Sequence, residues 1–286
     1  MSAHVLMNPP ALPYMLWRAW ATRSKRPGRV PSLPAATWTL PQVTVQASAV
    51  ANYRSVCGFE GGHGVPLTYP QLLTFPLVMA YLSSPECPWP AVGTVHLANR
   101  IEQQAALQAG DRVQVELVTG ALRSHEKGQV FDLEFFIRRE GEVVWRGTQS
   151  LLRRGVREPA GLPYVSALED DASLVQAFNF DAPAHIGRRY AWVSGDFNPM
   201  HLSRLSARLL GFRRTIAHGL WTQARALAGL LPAEPLQQAK LTTEFKSPVM
   251  LPARLAVWQH KTTSGTRLEV RDAHADRYHL RASLSV

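Results

Sequence analysis

The sequence predicts an α+β fold made twice over, each copy a long buried helix wrapped by a curved antiparallel sheet. Two observations define the copies. Apolar runs too long for strands occur once in each half, as TYPQLLTFPLVMAYL (68–82) and IAHGLWTQARALAGLL (216–231), and both read as buried helices, the first despite Pro76. Segments of alternating apolar and polar residues then follow each helix, punctuated by glycines, as in antiparallel meanders with one face on a core. A third observation joins the halves. YRSVCGF (53–59) returns as YAWVSGD (190–196), with Tyr53 matching Tyr190, Val56 matching Val193, Gly58 matching Gly195 and Phe59 standing where the second copy has Asp196. The interval is nearly half the chain, which is what an internal repeat requires.

The bounds agree. At 286 residues the chain holds two domains of about 140 residues, each able to bury a core. With 46% hydrophobic and 18% charged residues, it is a folded protein and not a disordered one. The formal charge of +10 suits an acidic partner such as a phosphorylated cofactor, an acidic carrier protein, nucleic acid or an anionic membrane, or serves only solubility. Nucleic acid is disfavoured, since no nucleic-acid motif accompanies the charge. Cys57 and Cys87 have no metal or redox spacing, so no metal is expected and a reducing cytoplasm is. No apolar run reaches the roughly 18 residues of a membrane span.

Along the chain, YMLWRAWATRSKRPGR (14–29) sets Trp17 and Trp20 beside Arg18, Arg23, Lys25, Arg26 and Arg29. The cations follow the apolar part, the reverse of a secretory signal. Such a segment packs on the protein body or, alternatively, lies on a membrane surface; packing is the preferred reading. Pro27, Pro31, Pro34 and Pro41 then suggest an extended linker, so residues 1–40 read as a basic extension and linker and 41–154 as the first domain. Its strands are expected at 95–102, 111–123, 129–139 and 142–154. Residues 155–172, polar and acidic with prolines, read as a second linker. The second domain, 173–286, has strands expected at 240–247, 253–263, 266–273 and 276–286.

The stretch that concentrates chemistry is YAWVSGDFNPMH (190–201), where Asp196, Asn198 and His201 crowd a turn shaped by Gly195 and Pro199. Glycine permits backbone angles other residues avoid, and proline pushes Asn198 towards an extended conformation. The plainer reading is an Asx-type turn capping a helix. The whole string together with IAHGLW (216–221) resembles the signature of the (R)-specific enoyl-CoA hydratases and MaoC-like dehydratases. VPLTYPQLLTFPLVMAYL, GTVHLANRIE and EFKSPVMLP extend that resemblance to most of the chain, and specifically to double-hotdog members in which the N-terminal hotdog has lost its catalytic residues. Phe59 for Asp196 and Gly64 for His201 fit that loss.

The chemistry implied can be stated from the residues. Dehydrating a 3-hydroxyacyl thioester needs a base for the proton on C2, an acid for the hydroxyl on C3, and donors where enolate charge develops on the thioester oxygen. Acid and base must sit side by side, and a tight turn carrying Asp196 and His201 supplies that. By resemblance, His201 acts at C2 and Asp196 at the hydroxyl; the sequence itself leaves open which of the two takes which proton, and they are read as a coupled pair. Asn198 holds the hydroxyl or water, and the Gly219 N–H, at a helix N-terminus, is the oxyanion donor. Gly195 and His218 are assigned to substrate binding, although a structural role suits His218 better, and Phe75, Leu77, Val78 and Met79 could line a tunnel for the acyl tail.

Arg213 and Arg214, with Arg188, Arg189, Arg204, Arg208, Lys240 and Lys246, would attract the phosphates of CoA or an acidic acyl carrier protein. Two departures from the family pattern are Met200, where a branched aliphatic is usual, and Ser203, where an acid is common. No cofactor is expected, and the chain is read as a monomeric pseudo-dimer or a homodimer. Two other readings stay open, a hotdog acyl thioesterase and a non-catalytic acyl-thioester-binding subunit.

Overall fold

The computed structural model describes residues 2–26, 29–59, 64–263, 265–274 and 277–286. Pro27 of the expected first linker and Asp276 at the head of the expected last strand lie outside them. In chain order the elements are β1 (Ser2–Val5), α1 (Leu12–Ala21), β2 (Ala36–Thr44), α2 (Ala47–Cys57), α3 (Pro70–Ser83), β3 (Thr94–Gln103), β4 (Arg112–His125), β5 (Gly128–Arg139), β6 (Glu142–Arg154), β7 (Leu162–Pro163), β8 (Val175–Ala182), α4 (Ile186–Ser194), α5 (Arg204–Leu209), α6 (Gly219–Ala228), β9 (Ala239–Phe245), β10 (Ala253–Thr262), β11 (Gly265–Asp272) and β12 (Tyr278–Ser285). The mixed helix and antiparallel sheet agrees with the α+β expectation, and each expected strand is found within a few residues. Among the described residues no helix is long and apolar enough to cross a membrane.

Two compact units are present, and neither is a simple half of the chain. The first comprises residues 1–45, 70–99 and 110–165; the second comprises 46–69, 100–109 and 166–286.

In the first unit the strands run β1, β2, β4, β5, β6. The pairs from β2 to β6 are antiparallel, while β1 adds to β2 in parallel. Alternation explains the inward face: Val113, Val115 and Leu117 of β4 are buried, as are Leu133, Phe135 and Ile137 of β5. The register that sets Leu117 opposite Phe135 keeps these side chains together on the face against which α3 packs. The expectation for residues 1–40 needs correction here. Ala36, Trp38 and Leu40 alternate into the core, so β2 begins before the boundary placed at residue 41. Pro41 falls at a bulge between Leu40 and Val43, the kind of place where a strand tolerates a missing N–H.

In the second unit the strands run β9, β12, β11, β10, β8, all antiparallel, with α6 against β12 and α2 against both α4 and α6. Buried Trp221, Ala224 and Leu227 form the face of α6 directed at the core. The stretch expected as the second linker is pinned down at its end. The carboxylate of Glu244 accepts hydrogen bonds from the Ser166 hydroxyl at 2.5 Å and the Ala167 N–H at 2.6 Å, and Asp170 pairs with Arg281. Hydrogen bonds from Ser173 and then His260 hold the Asp171 carboxyl down to about 2.

The repeat seen in the sequence is a repeat of geometry. Helix α2 ends at Gly58 with φ 77°, and α4 ends at Gly195, also with φ 77°. This left-handed cap is nearly closed to residues with a Cβ. At Gly58 a Cβ would also lie 3.1 Å from Nε of Arg225. Replacing Gly58 with Ala is expected to lower stability by about 1–2 kcal/mol, read as a lower urea midpoint with an unchanged circular dichroism spectrum.

Candidate active site

The site is assembled within the second unit from the end of α4, the turn after it, and the start of α6. Helix α4 buries Ile186, Gly187, Tyr190 and Ala191, two adjacent pairs one turn apart that face the core. Its end is capped through the Gly195 N–H, which donates to the Ala191 carbonyl at 2.9 Å. The Ser194 hydroxyl donates to the Tyr190 carbonyl at 2.8 Å and accepts from the Asp196 N–H at 3.2 Å. The carboxylate of Asp196 then accepts the Asn198 N–H at 3.1 Å, which is the Asx turn expected of this composition. Asn198 is extended, with ψ 124°, as the proline after it demands. A short 3-10 turn, Pro199–His201, delivers His201 to the interior.

Each imidazole has one nitrogen committed to the backbone. Nδ1 of His201 donates to the Ile216 carbonyl at 2.8 Å, which places the proton of the neutral ring on Nδ1 and leaves Nε2 as a lone-pair acceptor. Nε2 of His218 donates to the Asp196 carbonyl at 3.0 Å and lies 3.8 Å from its carboxylate. The two rings stack with centroids 3.6 Å apart. Burial lowers the pKa of both, and the proximity of His201 lowers that of His218 further, whereas Asp196 partly restores that of His201. Both rings are therefore neutral at pH 7, while the side chain of Asp196 keeps about a third of its surface (34%) open to solvent.

The acceptors of Asp196, His201 and His218 lie within 4.8 Å of one another, so a metal could be imagined there. The imidazoles, however, lie face to face instead of converging edge-on, and each spends a nitrogen on a carbonyl. That arrangement suits proton transfer better than coordination. Three buried polar atoms around the site have no hydrogen-bond partner among the described residues: Oδ1 of Asn198, Nδ1 of His218 and the hydroxyl of Tyr190. Tyr190 packs its ring 4.9 Å from His218, and burial raises its pKa well above the ordinary value.

Of the residues expected from sequence, Gly195, Asp196, Asn198, His201, His218 and Gly219 come together. Gly219 is the first residue of α6, and a Cβ there would sit 2.9 Å from the Phe245 ring, so the close packing itself excludes a side chain. Ser203 caps α5 by accepting the Ser206 N–H at 3.1 Å. Helix α3, with Leu77 and Val78 buried and Phe75 and Met79 half-buried, is counted with the first unit. Arg188, Arg189, Arg204, Arg208, Arg213 and Arg214 are exposed. Lys240 and Lys246 are instead engaged by Glu102 at 3.0 Å and Glu244 at 2.5 Å.

Sequence reasoning passed over Gly187, Tyr190 and Ile216. A Cβ on Gly187 would lie 2.2 Å from the His201 carbonyl oxygen, and the one available signal was a glycine where a helix former would be stabler. At the degenerate copy, Phe59 lines a cavity of about 260 Å³ with Arg54, Val65, Leu67, Leu231 and Leu236. Neither Phe59 nor Gly64 offers a group that could move a proton.

Comparison with known proteins matches this geometry. Residues 182–275 match the model of the MaoC like domain. A curated protein of Mycobacterium tuberculosis, 3-hydroxyacyl-thioester dehydratase X, is 32% identical over 261 residues, covering 90% of this chain and 91% of the relative. The crystal structure of HtdX from M. tuberculosis superposes with a TM-score of 0.76 at 30% identity, covering 87% of this chain and 100% of that one. A further M. tuberculosis structure, described as a double hotdog fold, gives a TM-score of 0.55 at 14% identity over 86% of this chain and 93% of the other. The fold is thus a double hotdog, and the chain belongs to the MaoC-like dehydratase family.

Proposed function

We propose that this protein catalyses the reversible (R)-specific hydration of trans-2-enoyl thioesters and dehydration of (3R)-hydroxyacyl thioesters in fatty-acid metabolism, as a hydro-lyase. The observation that carries the reading is the neutral His201, locked through Nδ1 so that Nε2 is a base, with the Asp196 carboxyl within 4.8 Å. In dehydration, Nε2 of His201 takes the C2 proton as charge moves onto the thioester oxygen. The C3–O bond then breaks, and the hydroxyl leaves as water when the proton that His201 took from C2 is passed on to it through the Asp196 carboxyl, so that the pair ends as it began. Hydration is the reverse, with the pair acting as one unit. Oδ1 of Asn198 accepts from the hydroxyl or water. The Gly219 N–H, outside the ladder of its own helix, faces the developing oxyanion with the helix dipole behind it.

Residues 173–286 are proposed as the active hotdog, and the copy before the linker, from β2 at Ala36 to Arg154, as the supporting one. The six exposed arginines suit the phosphates of CoA or an acidic carrier protein. The free, buried Cys57 and Cys87 suit work in a reducing cytoplasm.

Asp196→Asn and His201→Ala are each expected to cut turnover of trans-2-enoyl-CoA by about 10²- to 10⁴-fold, measured by loss of enoyl absorbance with chiral analysis of the product. Wild-type turnover without a (3R) product, or activity that survives both changes, sinks the assignment.

The depressed pKa values also set a pH dependence. In the unfolded chain the two histidines titrate near 6.5; folded, they stay neutral to lower pH. Below 6.5 the unfolded state therefore binds more protons, and stability falls as pH falls. The melting temperature is expected to be level above about pH 7 and to decline below 6.5, with a shallower decline in His218→Asn. The acid limb of kcat/KM is expected below 6.5 as well.

Reversing Arg213 and Arg214 to Glu is expected to raise KM for the CoA thioester about three- to tenfold at low salt with kcat retained. Initial rates at two ionic strengths check this.

A further inference from the structure

Helix α1 is apolar on two sides, and only one of them is used by the protein. Met15 and Ala19 are buried, with Thr22 one turn further on, and this side packs against α3. The attachment is firm. The Thr22 hydroxyl donates to the Ala19 carbonyl at 2.6 Å and accepts the Ala91 N–H at 3.0 Å. Arg18 donates to the Ser83 carbonyl at 3.1 Å, and Nζ of Lys25 reaches the carbonyls of Ser84 and Cys87 at 2.6 and 2.5 Å. The helix therefore cannot roll to hide its other side. That side carries Tyr14, Trp17 and Trp20, which are 54%, 58% and 56% exposed. They recur every three residues along one stripe, and the rings of Tyr14 and Trp17 are 6.2 Å apart. A contiguous exposed aromatic stripe, unlike scattered single apolar residues, marks a surface that something else covers.

Charge identifies the partner. Residues 1–59 contain no Asp or Glu, and Arg23, Arg26 and Arg29 are exposed with no ion pair among the described residues. The Arg23 guanidinium lies 3.2 Å from the centroid of Trp20, so cation and aromatic are presented together. Arg153 adds to the same field: its pKa is lowered by burial and then by the neighbouring Arg26. We propose that this face of α1 docks the protein on an anionic phospholipid bilayer, with Tyr14, Trp17 and Trp20 at headgroup depth and Arg23, Arg26 and Arg29 on lipid phosphates. Tyrosine and tryptophan favour that depth because one end of each ring is apolar and the other polar. The ten-residue helix is too short to span a bilayer and lies in its plane. Its rings stand exposed along the helix, which a yielding lipid interface accommodates without the pre-formed pockets a rigid protein partner would need.

The test is co-sedimentation of the full chain with vesicles of phosphatidylcholine containing about one third phosphatidylglycerol, beside pure phosphatidylcholine vesicles. Wild type is expected to pellet with the anionic vesicles alone and to be released by salt. Trp17→Ser with Trp20→Ser, and separately Arg23→Glu with Arg26→Glu, are each expected to weaken that binding by about tenfold or more. Melting temperatures close to wild type show that both variants are folded. The proposal is overturned if wild type stays in solution with both vesicles, if it binds neutral vesicles equally, or if either double variant still binds as wild type does. It is equally overturned if light scattering shows a dimer that Trp17→Ser with Trp20→Ser separates, since the stripe then serves a second copy.

Discussion

The hydrogen bond from Nδ1 of His201 to the Ile216 carbonyl ties the turn bearing Asp196, Asn198 and His201 to the rest of the second unit. Ile216 is itself held, its N–H donating to the Met200 carbonyl at 3.2 Å, while Ala217 donates to Val249 at 2.9 Å and Leu251 to Thr215 at 2.8 Å. On the other side of the turn, the missing side chain of Gly187 lets α4 approach the His201 backbone. The ring is thus clamped through its backbone and through one nitrogen. A buried bond of this kind contributes only about 1 kcal/mol net, but losing it leaves two buried groups unpaired, which costs more. Tautomer and orientation of His201 follow from it, through a carbonyl fifteen residues away, while burial keeps the ring neutral against the opposing pull of that bond and of Asp196.

The two copies of the short motif spend their burial differently. Tyr53 and Tyr190, matched in sequence, meet in the second unit with ring centroids 6.4 Å apart. Tyr53 satisfies its hydroxyl on Thr68 at 2.7 Å, whereas the Tyr190 hydroxyl has no partner among the described residues. Burying polar groups without partners is unfavourable, and a fold can carry that cost at one site more readily than at two. Phe59 and Gly64 remove the charge and the imidazole from the first copy. The backbone device, a helix ended by a left-handed glycine, is kept in both because the shape depends on it.

What could be read from sequence was what is local. Strands β4 to β6 and β9 to β12 were legible because alternation over ten or so residues encodes a half-buried face. Asp196, Asn198 and His201 were legible because one turn holds them all. Helix α2 was not: ASAVANYRSVC (47–57) has a weak apolar stripe, and its burial comes from α4 and α6, far away in sequence. The bracing of Asp196 by His218 was hidden for the same reason, since twenty-two residues separate them and no periodicity links them. For α1 the pattern was visible but its direction was not. Aromatic and small apolar residues occupy opposite sides, and only the contacts with α3 show which side is inward.

That distinction changes the meaning of the charge of +10. Spread evenly, it would say little beyond solubility. In the second unit, however, many cations are already answered: Lys246 by Glu244, Arg271 by Glu269, and Arg281 by Glu269 and Asp170. Among the exposed cations with no ion pair among the described residues are the arginines around the turn that bears His201 and those that follow α1. An uncompensated cluster costs self-repulsion, so its persistence beside exposed aromatics or beside the turn bearing His201 favours an anion that relieves it. The clusters belong to different compact units, and the proposed thioester carrier at the one and lipid surface at the other are both anions of the kind such clusters attract.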